Sequence, residues 1–396
     1  MQGEVLPNST RTRRPFNHFA RRVAVAGALL LSAMTAISSA RAADEMIKVT
    51  DLAGRTVSVK KGVEHAILGE GRLFYATVLL NKDKPFAQLA AIGDDLEKFD
   101  PDSWNQYLAK VPETRSIPKV GALASSDFSV EKAVALNADL VVLSLGFIDK
   151  AKETGILENL EKAGIPTIFI DFRERPTQNT VPSMMLLGRV FDREPQAQAF
   201  VDYYLQQMRR VYNVTSKLKQ NERPLVFAEQ AAGLDPSACC RAFGNFNFGE
   251  FVSEAGGLNW GSKFFSGMSG MVNPEKIVVD DPQFLLMTGA NWSNSNPGNK
   301  AVWLGYETKE TAAQEQIKGL VTRPGFGETS AVKNKRVMAI YQQFYQSPYH
   351  FVAIQALAKW LHPDAFKDLD PKATFVELHK QFLPIELTGV FWTELK

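Results

Sequence analysis

Residues 129–144 (SVEKAVALNADLVVLS) and residues 273–288 (NPEKIVVDDPQFLLMT) share one pattern at an offset of 144 positions. In each stretch a helix-capping residue precedes Glu-Lys, apolar residues follow at helical spacing, and a polar turn leads into a short apolar run. The pattern predicts a helix followed by a buried strand, once in each half of the chain. Two copies are too few for a solenoid and favour two lobes of like topology.

Further apolar runs alternate with helical patterns on both sides of these stretches, which is typical of parallel α/β sheets. The predicted fold class is therefore α/β, with two Rossmann-like lobes. Residues 47–59 alternate around an Ala-Gly turn and predict a β-hairpin ahead of the first lobe. The predicted strands lie at 65–68, 90–93, 139–144, 167–171, 225–228, 284–288 and 336–340, and two helices at 351–361 and 374–382 complete the chain.

A long helical pattern separates the two halves. Residues 195–220 contain no glycine, keep apolar residues at helical spacing, and begin with a proline that suits a first helical turn. At 1.5 Å per residue this segment would form about 39 Å of helix. We expect a rigid connecting helix (194–221) between an N-terminal lobe (43–193) and a C-terminal lobe (222–396).

The first 42 residues have the layout of an export signal. A leader with five arginines precedes an apolar run at 23–37, and small residues lead to a predicted cut between Ala42 and Ala43. The run is shorter than the roughly 20 residues that a bilayer span needs. We therefore expect a soluble periplasmic protein. Residues 12–16 (TRRPF) also fit a twin-arginine motif, so the sequence leaves both export routes open.

The composition excludes several classes of protein. The 396 residues are 45% hydrophobic with a net charge of +2, values that fit neither a disordered chain nor a nucleic-acid binder. Only two cysteines are present, the adjacent Cys239 and Cys240, which excludes cysteine-rich zinc modules. Neighbouring Cα atoms lie about 3.8 Å apart, closer than a normal disulfide spans, so two free thiols are favoured over a vicinal bond.

In order and spacing, seven segments resemble the periplasmic substrate-binding proteins of ABC transporters for iron complexes, which carry ferric siderophores, haem or cobalamin. The resemblance implies two lobes joined by a long rigid helix, with ligand in the cleft between them. It also implies delivery of the ligand to an inner-membrane ABC permease without any chemistry. The segments are 50–59, 128–144, 163–171, 187–200, 255–260, 273–287 and 331–340.

Ligands of such a family combine apolar faces with oxygen anions, so arginines and aromatic residues directly after strands are the candidates. The alternatives are that Arg72 pairs with Glu70, that Arg173 pairs with Glu174, and that the phenylalanines of the loop around Arg241 pack on each other. The candidate ligand-binding residues are Arg72, Phe147, Phe172, Arg173, Glu229, Arg241, Phe243, Trp292, Tyr341, Phe344 and Tyr345.

Glu131 and Glu275 occupy equivalent positions in the two copies of the repeat. The family resemblance implies that one exposed glutamate on each lobe docks on the permease, and these two fit that role. Their alternative role is to favour the dipole of their own helix.

The sequence thus predicts a monomeric periplasmic receptor for an iron chelate, most simply a ferric siderophore, with no resident cofactor because iron would arrive within the chelate. Haem, with Tyr341, Tyr345 or His350 as axial ligand, cobalamin and molybdate remain alternatives. The histidines are too scattered for a bare-metal site. An exported α/β hydrolase is disfavoured, since residues 267–270 (GMSG) miss the spacing of a nucleophile elbow.

Overall fold

The computed structural model describes residues 45–237 and 239–396, so the predicted export signal lies outside the described residues. The chain begins with the predicted antiparallel hairpin of β1 (Met46–Thr50) and β2 (Thr56–Lys60). Asp51 holds its turn, because one carboxylate oxygen accepts the N–H groups of Ala53 and Arg55 at 3.0 Å. The Arg55 guanidinium pairs with the other oxygen at 2.6 Å.

The first lobe is built on a parallel sheet of four strands in the order β4-β3-β5-β6. Its core strands carry almost only apolar residues and are buried, as expected where helices cover both faces of a parallel sheet. This confirms the predicted α/β alternation. The strands are β3 (Ala66–Leu68), β4 (Leu89–Ile92), β5 (Leu140–Ser144) and β6 (Thr167–Ile170).

Helices connect these strands. The first of them is a short α-helix that lies between two 3-10 turns. The α-helices of this lobe are α1 (Phe74–Thr77), α2 (Asp95–Phe99), α3 (Pro101–Lys110), α4 (Val130–Ala135), α5 (Ile148–Glu153), α6 (Ile156–Lys162) and α7 (Pro176–Val190).

The long connecting helix is present as α8 (Glu194–Thr215), but it ends before the predicted Gln220. The Arg223 guanidinium donates to the carbonyl of Thr215 at 2.7 Å and so caps the last turn. A separate 3-10 turn follows at Gln220–Glu222. The apolar face of α8 is buried, which fixes the helix against both lobes.

The second lobe carries a sheet of seven strands in the order β10-β8-β7-β11-β12-β13, with β9 paired to β7. The central strands β7, β11 and β12 are parallel and confirm the predicted runs. The antiparallel edge strands are short, so they give little periodic signal in the sequence. The strands are β7 (Leu225–Glu229), β8 (Arg241–Phe243), β9 (Leu258–Asn259), β10 (Ser269–Met271), β11 (Phe284–Gly289), β12 (Val337–Tyr341) and β13 (Trp392–Glu394).

The internal repeat is confirmed as a helix and strand in each lobe. Ser129 and Asn273 cap the two helices through their side chains, and each helix leads into a central strand, β5 or β11. The helices of the second lobe are α9 (Phe248–Glu254), α10 (Pro274–Asp280), α11 (Glu310–Val321), α12 (Ser330–Lys333), α13 (Phe351–Leu361) and α14 (Pro371–Phe382).

The two lobes share one continuous hydrophobic core, and residues 46–396 form a single compact unit. None of the helices in the described ranges is long and apolar enough to cross a membrane.

Candidate functional site

The carboxyl ends of the first-lobe strands bring two arginines against a tyrosine of the second lobe. Arg72 follows β3, Arg173 follows β6, and Tyr345 lies in the 3-10 turn after β12. The phenol oxygen of Tyr345 accepts from Nη1 of Arg72 at 2.6 Å and from Nη1 of Arg173 at 3.1 Å. Both guanidinium carbons also lie within 5.5 Å of the tyrosine ring centre. These three residues, all predicted site residues, form a cluster between the lobes.

The cluster stabilises negative charge at one point. Burial alone would raise the pKa of Tyr345, but the positive charges of Arg72 and Arg173 outweigh burial and lower it. The position of the phenol oxygen is therefore a place where an anionic oxygen is favoured.

Asp95 holds Arg72 in place. The Arg72 Nε donates to Oδ2 of Asp95 at 2.7 Å, and the carboxylate is fully buried in the first turn of α2. Its second oxygen accepts the N–H of Gly71. Arg72 thus pairs with Asp95 rather than with Glu70, the partner that the sequence offered. The Nη1 atom of Arg72 points toward the second lobe, where it donates to Oε1 of Gln343 at 3.3 Å.

Asp171 organises the loop that carries Arg173. Its Oδ1 accepts the N–H groups of Arg173 at 2.8 Å and Glu174 at 2.7 Å, and its Oδ2 accepts from the Arg175 N–H at 2.9 Å. The nearest oxygen of Glu174 lies only at the edge of ion-pair distance, 4.0 Å from Nε of Arg173. Arg173 therefore keeps Nη1 for the contact with the phenol oxygen of Tyr345.

Replacing Asp171 by asparagine is expected to lower the free energy of unfolding by about 1–3 kcal/mol and to weaken ligand binding, because an amide nitrogen would face the N–H donors of the loop. Urea unfolding and ligand titration measure the two effects. Asp149→Asn, at an acidic residue 87% exposed at the start of α5, is the matched control and should change neither. Unchanged binding by the Asp171 variant would contradict the positioning role.

Aromatic rings and one amide surround the cluster. The guanidinium of Arg173 lies 5.1 Å from the ring of Phe147, a predicted residue, and that of Arg72 lies 5.3 Å from Phe99. Asn247 joins the lobes, since its Nδ2 donates to the carbonyls of Arg173 at 2.5 Å and Tyr345 at 2.8 Å. Four partners of the cluster were not predicted from the sequence: Asp95, Phe99, Gln343 and Asn247. Only Asn247 left a signal, as part of the Asn- and Gly-rich loop before α9.

The predicted phenylalanine and tryptophan residues, apart from Phe147, lie in the core. Phe243 packs on Phe248 with ring centres 5.3 Å apart, and Phe344 packs on Phe375 at 5.5 Å. A side chain directly after a strand can point outward from the sheet edge or back into the core beneath it. A buried side chain has taken the second direction. The structure thus gives packing contacts, rather than exposed cleft surface, to Phe172, Phe243, Trp292 and Phe344.

Tyr341, also predicted at the ligand site, belongs to a buried bridge between the lobes. Its hydroxyl donates to Oδ2 of Asp100 at 2.5 Å, and Tyr75 of the first lobe donates to the same oxygen. His350 is likewise occupied, since it is fully buried, stacks on Phe251 at 5.0 Å and has its pKa lowered by burial to about 4. Neither side chain is presented as an axial ligand for haem.

Glu229 is engaged by an arginine that the sequence did not connect to it. Both of its oxygens accept from Arg323, at 2.6 and 2.7 Å. Arg323 and Cys239 also line a cavity of about 470 Å³ after β7, together with Trp303. The sulfur atoms of Cys239 and Cys240 are bonded to each other, where the sequence favoured free thiols.

One group of potential metal ligands occurs in the described part of the chain, made of Glu229, Cys239 and Cys240. The sulfur–sulfur bond and the Arg323 contact occupy all three, so the group is not presented as a metal site.

Three of the predicted charged residues lie on the surface, outside the cluster of Arg72, Arg173 and Tyr345. Arg241 is exposed on β8, and the contacts of the cluster do not reach it. Glu131 and Glu275 are exposed in the first turns of α4 and α10. Their functional roles stay predictions.

The chain and its fold match known binding proteins. The family of periplasmic binding proteins matches residues 83–343, and the chain belongs to this family. No curated protein sequence matches the chain. Members of the family bind solutes and work with ABC permeases, and the fold is the two-lobed one of this class.

Solved structures agree with this assignment. The TroA-like periplasmic binding protein FepB from Veillonella parvula is 28% identical with a TM-score of 0.79, covering 88% of this chain and 100% of its own. The molybdate-bound protein MolA from Haemophilus influenzae is 15% identical (TM-score 0.65; 87% and 99% covered). A periplasmic haem-binding protein from Pseudomonas aeruginosa is 16% identical (TM-score 0.53; 76% and 93% covered). The last two are similar in fold alone.

Proposed function

We propose that this protein is an exported receptor that binds an anionic iron chelate, a ferric siderophore, in the interlobe cleft and delivers it to an inner-membrane ABC permease. The observation that carries the proposal is the convergence of Arg72 and Arg173 on one buried oxygen position contributed by the opposite lobe. Two guanidinium groups of this kind suit the oxygen donors of a chelate, because Arg binds planar oxygen anions through paired hydrogen bonds.

Aromatic surroundings support a chelate with apolar faces. Phe99 and Phe147 lie beside the two arginines, and Phe246 lies 4.9 Å from the guanidinium carbon of Arg175. Iron would arrive inside the chelate, so the protein would need no resident cofactor and perform no chemistry.

A small oxyanion such as molybdate is the second candidate. It is favoured by the tightness of the cluster, since Arg72 is 5% exposed and Tyr345 is 6% exposed with the lobes in contact. A small anion could replace the phenol oxygen without separating the lobes, whereas a chelate requires the cleft to open.

Delivery to the permease would use Glu131 and Glu275. Both are exposed, and the repeat places them at equivalent points of two helices that cover the two sheets. We also propose that the export signal is removed near Ala42 and that the mature protein acts as a monomer in the periplasm.

Tryptophan fluorescence tests the proposed ligand class. The mature protein is titrated with ferric trihydroxamate, ferric tricatecholate, ferric citrate, haem, cobalamin and molybdate, each beside its iron-free or metal-free form. Saturable quenching by one ferric chelate, absent with the iron-free chelator, is the expected result. Saturation by molybdate alone would replace the chelate with the second candidate, and no response to any compound would contradict both.

A further inference from the structure

Glu70 lies at the sheet edge next to both arginines and has one carboxyl oxygen without a partner. It follows β3 by two residues and is fully buried. Its Oε2 accepts the N–H of Ser144, at the end of β5, at 3.0 Å. Its Oε1 has no hydrogen-bond partner among the residues that the structure describes. The charged groups that face it are Arg72 on its own loop, Asp95 on α2 and Arg173 after β6.

Burial favours the neutral form of this carboxyl group. Burial, followed by the negative charge of Asp95, raises the pKa of Glu70 to about 8, against the opposing effects of Ser144 N–H, Arg173 and Arg72. Oε1 is a buried polar atom without a hydrogen-bond partner among the described residues, a rare feature in native proteins that calls for a specific explanation. In the neutral form of the carboxyl group the proton belongs on Oε1, because Oε2 already accepts a hydrogen bond.

The charge state of Glu70 changes the electrostatics beside the two arginines. Ionisation of Glu70 adds one negative charge near Arg72 and Arg173, and this charge opposes the binding of an anionic ligand there.

We propose that Glu70 is a specificity residue of the ligand site, which donates its carboxyl proton in a hydrogen bond to an anionic ligand oxygen and, when ionised, releases that ligand. The inference rests on the proposed function, since it assumes that an anion binds at the Arg72–Arg173 pair. The proton stays on Glu70 in the bound state, so the ligand oxygen acts only as acceptor. The proposal predicts that anion affinity is full below pH 8 and falls as the pH rises through that value.

The protonation of Glu70 can be measured without any ligand. Infrared difference spectra of the wild-type protein and of Glu70→Gln should show a carboxylic acid C=O band that belongs to Glu70 and disappears as the pH rises through about 8. Absence of that band at pH 7 would overturn the inference.

Binding across the same pH range tests the role in recognition, with ferric tricatecholate and molybdate as probes. Wild-type affinity should fall by about tenfold for each pH unit above 8. Glu70→Gln keeps a neutral donor, so it should bind about as well as the wild type at pH 7 and lose this decline. Comparing the two proteins at each pH cancels any titration of the probe itself.

Two further variants separate Glu70 from other acids. Glu174 lies beside Arg173 and also has its pKa raised by burial, so it is the other carboxyl group whose ionisation could weaken binding. If Glu70 is responsible, Glu174→Gln should leave the decline in affinity above pH 8 in place. Glu158→Gln, at an exposed residue of α6, is the matched surface control. An identical pH profile in wild type and Glu70→Gln would overturn this inference alone. Failure of both probes to bind at every pH would instead contradict the proposed function, and the ligand role of Glu70 with it.

Discussion

Replacing Arg173 by alanine is expected to weaken binding of the ferric chelate by about tenfold or more, which corresponds to about 1.4 kcal/mol. Arg173 contributes one of the two positive charges at the Tyr345 oxygen, and its Nη1 is the atom that reaches this position. A bound anion would make a charge-assisted hydrogen bond there, which is stronger than a bond between neutral groups.

Arg173 is a cleaner test than Arg72. Removing Arg72 would leave the fully buried Asp95 without its cation, so a loss of binding would be mixed with a loss of stability. Arg173 has a side chain 20% exposed, and the backbone of its loop is held independently by Asp171.

Isothermal titration calorimetry measures the effect, and urea unfolding shows whether the variant keeps its fold. The control variant is Arg209→Ala, at an exposed position of α8. It also removes one positive charge, but outside the cluster, and should bind like the wild type. Equal affinities for Arg173→Ala and Arg209→Ala would contradict the assignment of the cluster as the ligand site.

The spacing of apolar residues and the position of turn residues were sufficient to predict the two α/β lobes, but not the short antiparallel edge strands. The offset repeat, the alternation of helices with buried strands and the long connecting helix all depend on local apolar spacing. The end of α8 could not be predicted in this way, because the Arg223 guanidinium and not a helix-breaking residue caps the carbonyl of Thr215.

The candidate site was only partly predictable for a related reason. Arg72 and Arg173 could be predicted because they directly follow strands, and the end of a strand can be recognised from the local sequence. Local sequence could not reveal that Asp95 pairs with Arg72, or that Arg323 pairs with Glu229. The partners in these two pairs are 23 and 94 residues apart along the chain. Nor could local sequence tell which post-strand aromatic rings turn into the core, as Phe344 does.

The pair of Glu229 and Arg323 should contribute strongly to stability. The Glu229 side chain is 3% exposed and that of Arg323 is 18% exposed, and both carboxylate oxygens accept from the guanidinium. Arg323 is itself fixed, since its Nε donates to the carbonyl of Leu320 at 2.8 Å and its guanidinium carbon lies 4.3 Å from the centre of the Phe326 ring. The two hydrogen bonds from Arg323 therefore compensate the charge of a carboxylate that is buried at the end of the central strand β7.

Arg323→Ala is therefore expected to lower the free energy of unfolding by about 3–5 kcal/mol, because it leaves the Glu229 carboxylate buried without a cation. Urea unfolding followed by circular dichroism gives the value. The double variant Arg323→Met with Glu229→Gln removes both charges and should recover most of the loss. Lys333→Ala breaks the exposed pair with Glu328 and should cost less than about 1 kcal/mol. An equal cost for Arg323→Ala and Lys333→Ala would contradict the stabilising role of the Glu229–Arg323 pair.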